Sequence, residues 1–207
     1  MAILRSRPPI RAVLFDLDGV LVDSFRYWFH LFNKTLRHFG HEPISPRTFK
    51  KSWGQSTAED VRIFMPERSV DEVRAYFTHH QTDYIQYFRV NPSANRVLGQ
   101  IRKRLTKLGC VTNSHRVITR AEMIATGLVG YFDVVLTADD VQQPKPHPEM
   151  LLTAGRRLKV SPEATVFVGD TRTEQRAARA ARCQFIGYRL KTSGSIRRLE
   201  ELLPRLA

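Results

Sequence analysis

Cysteine is nearly missing from this chain: Cys110 and Cys183 are the only two among 207 residues. Both sit in or beside short apolar segments. That position excludes a disulfide framework or a thiolate metal centre and predicts two small buried residues, with a reducing cytoplasm as the expected setting. Long apolar runs are missing too. The first, which follows Arg5, Arg7 and Arg11, is cut short by Asp16, so neither a secretory signal peptide nor a membrane anchor is expected. Internal repeats and low-complexity tracts are also lacking. Acidic residues are scarce, 20 against 33 basic ones, for a net charge of +13. Such an excess raises nucleic-acid binding as a function. Its distribution argues the other way. Residues 24–90 carry 10 basic and 7 acidic side chains, leaving 23 and 13 for the rest. Arg172, Arg176 and Arg179 form a helical stripe opposite Ala177, Ala178 and Ala181, the pattern of an ordinary solvated face. Nucleic acid and membrane are therefore not expected as partners, and nothing in the pattern specifies an oligomeric state.

What is present suits one well-buried core with a modest insertion: 42% hydrophobic and 26% charged residues. Ala12 to Phe15 is a short all-apolar run, which predicts a strand buried on both faces. Lys107 to Val111, Asp133 to Leu136, Thr165 to Val168 and Gln184 to Gly187 repeat that signature between helical stretches. The alternation predicts an α/β fold, a doubly wound parallel sheet with a Rossmann-like core. Residues 24–90 break the alternation. Phe25, Trp28, Phe29, Phe32, Leu36 and Phe39 follow Asp23 and Ser24 at helical spacing, with Gly40 as a stop, and core packing explains the stripe better than base stacking. Ser45-Pro46 starts a second helix, and Ser56 with Glu59 and Ser69 with Glu72 offer capping boxes for two more. The segment reads as an all-helical insertion leaving and re-entering the core near residues 21–23 and 89–92. The expected division is 1–23 with 91–207 as the α/β core and 24–90 as the insert. Ser161-Pro162 opens a short turn, and Ile196, Leu199, Leu202 and Leu203 predict a last helix behind Gly194-Ser195.

The first strand ends in Asp16-Leu17-Asp18. Two carboxylates at the carboxyl edge of a parallel sheet repel unless a cation lies between them or one holds a proton. A metal site and acid/base chemistry are both implied. Three other segments end at the same predicted edge: Val111-Thr112-Asn113-Ser114, then Lys145 in Pro144-Lys145-Pro146-His147-Pro148, then Gly169-Asp170 with Glu174 four residues on. Each is weak alone. The four in this order, with a helical insertion just after the first, resemble the haloacid dehalogenase-like hydrolase superfamily over nearly the whole chain. Asp18-Gly19-Val20-Leu21-Val22-Asp23-Ser24 is similar to the branch of phosphoglycolate phosphatase and β-phosphoglucomutase.

The resemblance implies a Mg²⁺-dependent phosphatase for a small phosphorylated metabolite, phosphoglycolate-like or a sugar phosphate, with the insert as a cap. Asp16 becomes the nucleophile that forms an aspartyl-phosphate, and Asp18 the general acid and base. The Asp16 and Asp170 carboxylates and the Asp18 carbonyl become the metal ligands. Leu17 and Asp18, with the Thr112 hydroxyl, the Asn113 amide and Lys145, become the phosphate-binding set. Glu174 stands where the family usually has aspartate, and is expected to accept from Lys145 or a metal-bound water. Arg182 replaces a usual glycine. A phosphomutase is the alternative, and a nucleotide or nucleic-acid-end phosphatase or a binding protein a further one; Asp18 disfavours a dehalogenase. His30, His38, His41, His79 and His80 show no zinc spacing, and His147 is expected to order the lysine loop. Trp53 to Ser56 is the expected substrate-facing loop, with Lys50 and Lys51 beside it.

Overall fold

The computed structural model describes residues 8–104 and 106–206, so Arg5 and Arg7 lie outside the described residues. β1 (Ala12–Phe15) is buried at every position. The chain turns at Gly19, whose φ of +85° and close approach to the Asp170 carboxylate leave no room for a Cβ. After β2 (Val22–Asp23) come α1 (Phe25–His38), α2 (Pro46–Lys51), α3 (Thr57–Phe64) and α4 (Val70–His79). The return is through β3 (Arg89–Val90), which pairs antiparallel with β2. Then follow α5 (Ala94–Lys103), β4 (Lys107–Val111), α6 (Arg116–Thr126), β5 (Val134–Leu136), α7 (Glu149–Leu158), β6 (Thr165–Gly169), α8 (Arg172–Ala181) and β7 (Gln184–Gly187).

The sheet is parallel in the order β5-β4-β1-β6-β7. From β1 the chain winds outward to β5, then crosses back to β6 and winds out the other way. That reversal opens a crevice at the carboxyl ends of the central strands. Alternate β1 residues serve opposite faces, as a period of two requires. Val13 and Phe15 join Leu108 and Cys110 of β4 with Val97 and Leu98 of α5 and Ile118 of α6. Ala12 and Leu14 join Leu136 of β5 with Met150 and Leu151 of α7 and Ala177 of α8. Each such buried Leu or Phe is worth about 1.5–3 kcal/mol. The sheet is thus fixed from both sides, which holds its strand ends rigid. The aromatic stripe of α1 does pack as a core: Tyr27 stacks on Phe88 at 4.1 Å and Phe32 meets Phe64 edge-on at 5.3 Å.

Three local expectations need correction. Ser24 makes no cap for α1; its hydroxyl is given to the Asp18 carboxylate, a stronger acceptor than a helix N–H would be a donor. Ser56 accepts from Glu59 N at 3.3 Å, but the Glu59 carboxylate turns to Arg62, so that capping box is only half made, whereas the Ser69 and Glu72 box is complete. The last helix begins later than its apolar pattern, at Leu199, and is 3₁₀ to Leu206. Ile196 instead bridges Tyr188 beside β7. Leu199 and Leu202, the buried leucines of that helix, stand three apart, as the 3₁₀ period requires. Arg182 ends α8 in the left-handed region at φ 60°, a position that favours glycine.

Candidate active site

Every strand-end segment named above reaches the crevice. β1 and β6 are in register, with Asp16 N donating to Val168 O at 3.0 Å, which places Asp16 beside the Gly169-Asp170 turn. Lys145 arrives from the loop before α7 and is 2% exposed. Its ammonium donates to Asp16 Oδ1 at 2.7 Å, Glu174 Oε1 at 3.0 Å and the Val111 carbonyl at 3.0 Å. All three of its protons are used. Burial opposes the lysine's charge, but the Asp16 and Glu174 carboxylates outweigh it and raise its pKa.

Glu174 spans back from the first turn of α8. Its Oε2 accepts from the Asp170 and Thr171 amides at 3.0 and 2.9 Å, completing a capping box with Thr171. A Cβ on Gly169 would lie 2.8 Å from that of Glu174, so the glycine makes room for the longer acid. Burial pushes Glu174 up, yet Lys145 and the hydrogen bonds hold its pKa low. The neighbouring carboxyls go the other way: burial and Glu174 raise Asp16 well above the usual range and Asp170 to about 8. One lysine does not neutralise three carboxylates. Carboxylate oxygens of Asp16, Asp170 and Glu174 lie within 4.8 Å of one another, and Asp170 Oδ1 is buried without a partner. Excess negative charge, hard oxygen donors and one orphaned oxygen are what a divalent cation would satisfy.

Asp18 sits apart from that cluster. Its Oδ1 accepts from the Trp28 indole at 2.7 Å and from the Ser24 hydroxyl. Oδ2 accepts from Ser114 Oγ at 2.7 Å and Thr112 Oγ1 at 3.2 Å. The Asn113 side chain braces the lysine loop, accepting from Lys145 N and donating to Lys145 O, both at 2.9 Å. Leu17 is fully buried, so only its main chain could serve a ligand.

The helical insert covers these groups. Trp53 Nε1 donates to Asp170 Oδ2 at 3.1 Å, Gly54 O accepts from Asn113 at 3.3 Å, and Thr57 Oγ1 meets His115 Nε2 at 2.8 Å. Gly54, at φ +81°, lies so close to Thr171 that a Cβ would stand 2.8 Å from its methyl. Between the layers is a cavity of about 70 Å³, lined on one side by Asp16, Asp18, Thr112 and Lys145 and on the other by Trp28, Phe49, Trp53, Gln55, Asp60 and Phe77. That is room for a handful of waters or one compact group.

The expected residues Asp16, Asp18, Thr112, Asn113, Lys145, Asp170 and Glu174 therefore meet in one place. Thr112 turns its hydroxyl to Asp18, and Glu174 accepts from Lys145 as expected. Trp53, Gly54 and Gln55 line the cavity, while Lys50 and Lys51 are exposed and do not. His147 Nδ1 accepts from the Glu149 amide at 3.3 Å, at the start of α7. Sequence reasoning passed over Ser114, Trp28, Thr57, Asp60 and His115. Ser114 had a signal, two residues from Thr112 at a strand end; Trp28 was hidden within an aromatic stripe.

The family described as haloacid dehalogenase-like hydrolase matches residues 13–188. The chain is 31% identical over 189 residues to pyrophosphatase PpaX of Bacillus pumilus, covering 89% of this chain and 86% of that protein. To phosphoglycolate phosphatase of Shigella boydii it is 29% identical over 205 residues, covering 86% and 81%. Among solved structures, CbbY of Rhodobacter sphaeroides with bound xylulose-(1,5)bisphosphate superimposes with a TM-score of 0.80 at 20% identity, over 92% of this chain and 94% of that one.

Proposed function

This chain belongs to the haloacid dehalogenase-like hydrolase family, and we propose that it is a phosphoric monoester hydrolase for a small phosphorylated metabolite. The observation that carries the reading is Asp16 held at 2.7 Å by a buried lysine, with a second, separately bonded carboxyl two residues on, in a cavity beneath the insert. In this reading the Asp16 carboxylate attacks phosphorus and becomes the aspartyl-phosphate. Asp18 gives a proton to the departing alkoxide and then takes one from the water that cleaves the acyl phosphate. The Ser24, Thr112 and Ser114 hydroxyls around Asp18 can rotate, so its surroundings accept it with or without that proton. Lys145 and the Thr112 and Asn113 groups meet the charge spread over the phosphoryl oxygens.

The Asp16 and Asp170 carboxylates and the Asp18 carbonyl would hold Mg²⁺, with Glu174 fixing the Lys145 and Asp170 positions from one step further out. Bound there, the ion would neutralise the cluster and polarise a phosphoryl oxygen. Residues 24–90 act as the cap, hinged on β2 and β3, and their aromatic underside keeps bulk water from the acyl phosphate. A cytoplasmic setting fits the two free cysteines; among the described residues no helix is long and apolar enough to cross a membrane.

Turnover of p-nitrophenyl phosphate and a panel of small phosphate esters with Mg²⁺ tests this. Purified protein should release phosphate, and Asp16→Asn should lower kcat by about 10⁴-fold or more, as loss of a nucleophile does elsewhere. No release from any ester with metal present would refute the reading.

A further inference from the structure

The cap side of the cavity is built for a ligand of particular chemistry. Its walls are aromatic: Trp28, Phe32, Phe49, Trp53 and Phe77. Into that surface open two acceptors with nothing to accept, as Asp60 Oδ1 on α3 and Gln55 Oε1 on the preceding loop are both buried without a partner. A buried unpaired acceptor costs about 1–3 kcal/mol, so a ligand that brings a donor to it recovers that loss. Cations are lacking on the same side. Among the described residues Lys145 is the one basic residue lining the cavity, and its protons are committed to Asp16, Glu174 and Val111. Lys50 and Lys51 point their side chains into solvent instead.

We infer that the cap selects esters whose alcohol portion carries a hydrogen-bond donor, a hydroxyl or an ammonium, on a short carbon skeleton, and rejects those that carry a carboxylate. Asp60 and Gln55 are the residues that read the donor. The inference rests on the phosphatase reading for the position of the phosphoryl group at Asp16, which leaves the alcohol portion facing the cap. Above about pH 8, where Asp60 is ionised, an ester with a terminal carboxylate would set an anion against the Asp60 carboxylate with no cation to meet it, so selection there works by repulsion as well as attraction. The aromatic faces add to the hold on an ammonium and pack the carbons of either class.

Three esters of nearly equal size separate the possibilities: 2-hydroxyethyl phosphate, 2-aminoethyl phosphate and 2-phosphoglycolate. Assayed at about pH 9, where Asp60 is ionised, wild-type protein should show a kcat/KM at least about 10-fold, and up to about 100-fold, higher for one or both donor-bearing esters than for phosphoglycolate, the range of a bond to a charged acceptor. The better of the two tells whether hydroxyl or ammonium is the natural donor. Asp60→Leu should collapse the preference, and Gln55→Leu should reduce it; circular dichroism and melting confirm that each variant is folded. Calorimetric binding of the same esters to Asp16→Asn gives the ranking without turnover. If no ester is hydrolysed, the phosphatase reading fails while the binding order still decides the inference. Phosphoglycolate bound or turned over as well as the donor esters would overturn it. So would a preference that Asp60→Leu leaves intact, or tight phosphoglycolate binding retained by Asp60→Asn, which would mean that residue 60 acts as donor to a carboxylate.

Discussion

The two walls of the cavity follow opposite rules. On the sheet side nearly every polar atom is paired: Lys145 meets three acceptors, Asp18 meets four donors, and both Glu174 oxygens are bonded. The exception, Asp170 Oδ1, belongs to the candidate metal cluster. On the cap side the surface is aromatic and its two buried acceptors are unpaired. Paired groups on rigid strand ends keep their geometry whatever the ligand, as a reacting centre requires. Unpaired groups on short helices are satisfied only by a ligand that fits them. The difference assigns chemistry to the sheet and selection to the cap.

The strongest way to break that contrast is to remove one charged group from each wall. Lys145→Met strands Asp16 and Glu174 as buried anions, and it should cost about 3–5 kcal/mol of stability without metal. It should also lower kcat by about 10²–10³-fold, since it removes the positive charge beside the nucleophile that offsets the charge of the phosphoryl oxygens. Added Mg²⁺ should restore part of the stability, because the ion would neutralise the stranded carboxylates. Asp60→Leu should be neutral or slightly stabilising, as it deletes an unpaired buried acceptor. Urea unfolding of both variants checks this. Equal losses at the two sites would mean that the walls do not differ as described.

Proton linkage should separate the walls by a smaller effect. Burial and Glu174 push Asp170 to about 8, and burial with Glu59 pushes Asp60 to about 8. An unfolded aspartate titrates near about 3.9. Between about pH 4 and 8 the folded state therefore holds protons that the unfolded state has released, so stability falls as pH rises through that window. Mg²⁺ favours the ionised form of its ligands. It should cancel the share of Asp170, and of Asp16, which is raised in the same direction. Asp60 and Glu122, raised by burial but not in the cluster, should keep theirs. Unfolding measured from pH 5 to 8 should show a slope that Mg²⁺ reduces but does not abolish, and that Asp60→Asn reduces further. A slope indifferent to Mg²⁺ would count against an ion at Asp16 and Asp170.

The same division explains what the sequence disclosed. β1 and β4 were legible because a strand buried on both faces leaves a short apolar run, and Asp16, Thr112 and Asp170 were legible because each stands at or just past the end of such a run, while Lys145 was marked by its flanking prolines. Asp16, Thr112 and Asp170 are far apart in sequence, but the sheet's order brings them together, and the Asn113 side chain brings the Lys145 loop to them. Asp60 left no mark, since an acid in the first turn of a helix is ordinary and its burial comes from tertiary packing of α3 that no local pattern encodes. Trp28 and Trp53 looked like two more core aromatics. Their indole N–H groups reach Asp18 and Asp170 through tertiary contacts that no local pattern encodes. The apolar spacing from Ile196 to Leu203 announced a last helix, but a long-range bridge to Tyr188 holds Ile196 outside it.

Contact between the walls can be weakened at a single bond. His115 is mostly buried, and that burial lowers its pKa despite the hydrogen bond to Asp139, so its ring is neutral at pH 7. Asp139 is held low, against burial, by the Arg116 amide and His115. An ionised Asp139 can only accept, so His115 Nδ1 carries the proton, donating across 3.1 Å. Nε2 is then the acceptor, and Thr57 of the cap is the donor at 2.8 Å. Arg74 of α4 reaches the same Asp139, so two cap residues converge on one carboxylate of the core. Thr57→Val keeps the shape of the side chain and deletes its donor. The loss should be about 1 kcal/mol, or about 5-fold, and it should fall on the closed arrangement and not on the reacting groups. KM should therefore rise by about that factor with kcat little changed, and Arg74→Gln should act in the same direction. Steady-state kinetics with the ester found to be the best substrate measures the split. A fall in kcat at unchanged KM would show instead that the bond serves the chemistry, and the two walls would then have to be treated as one.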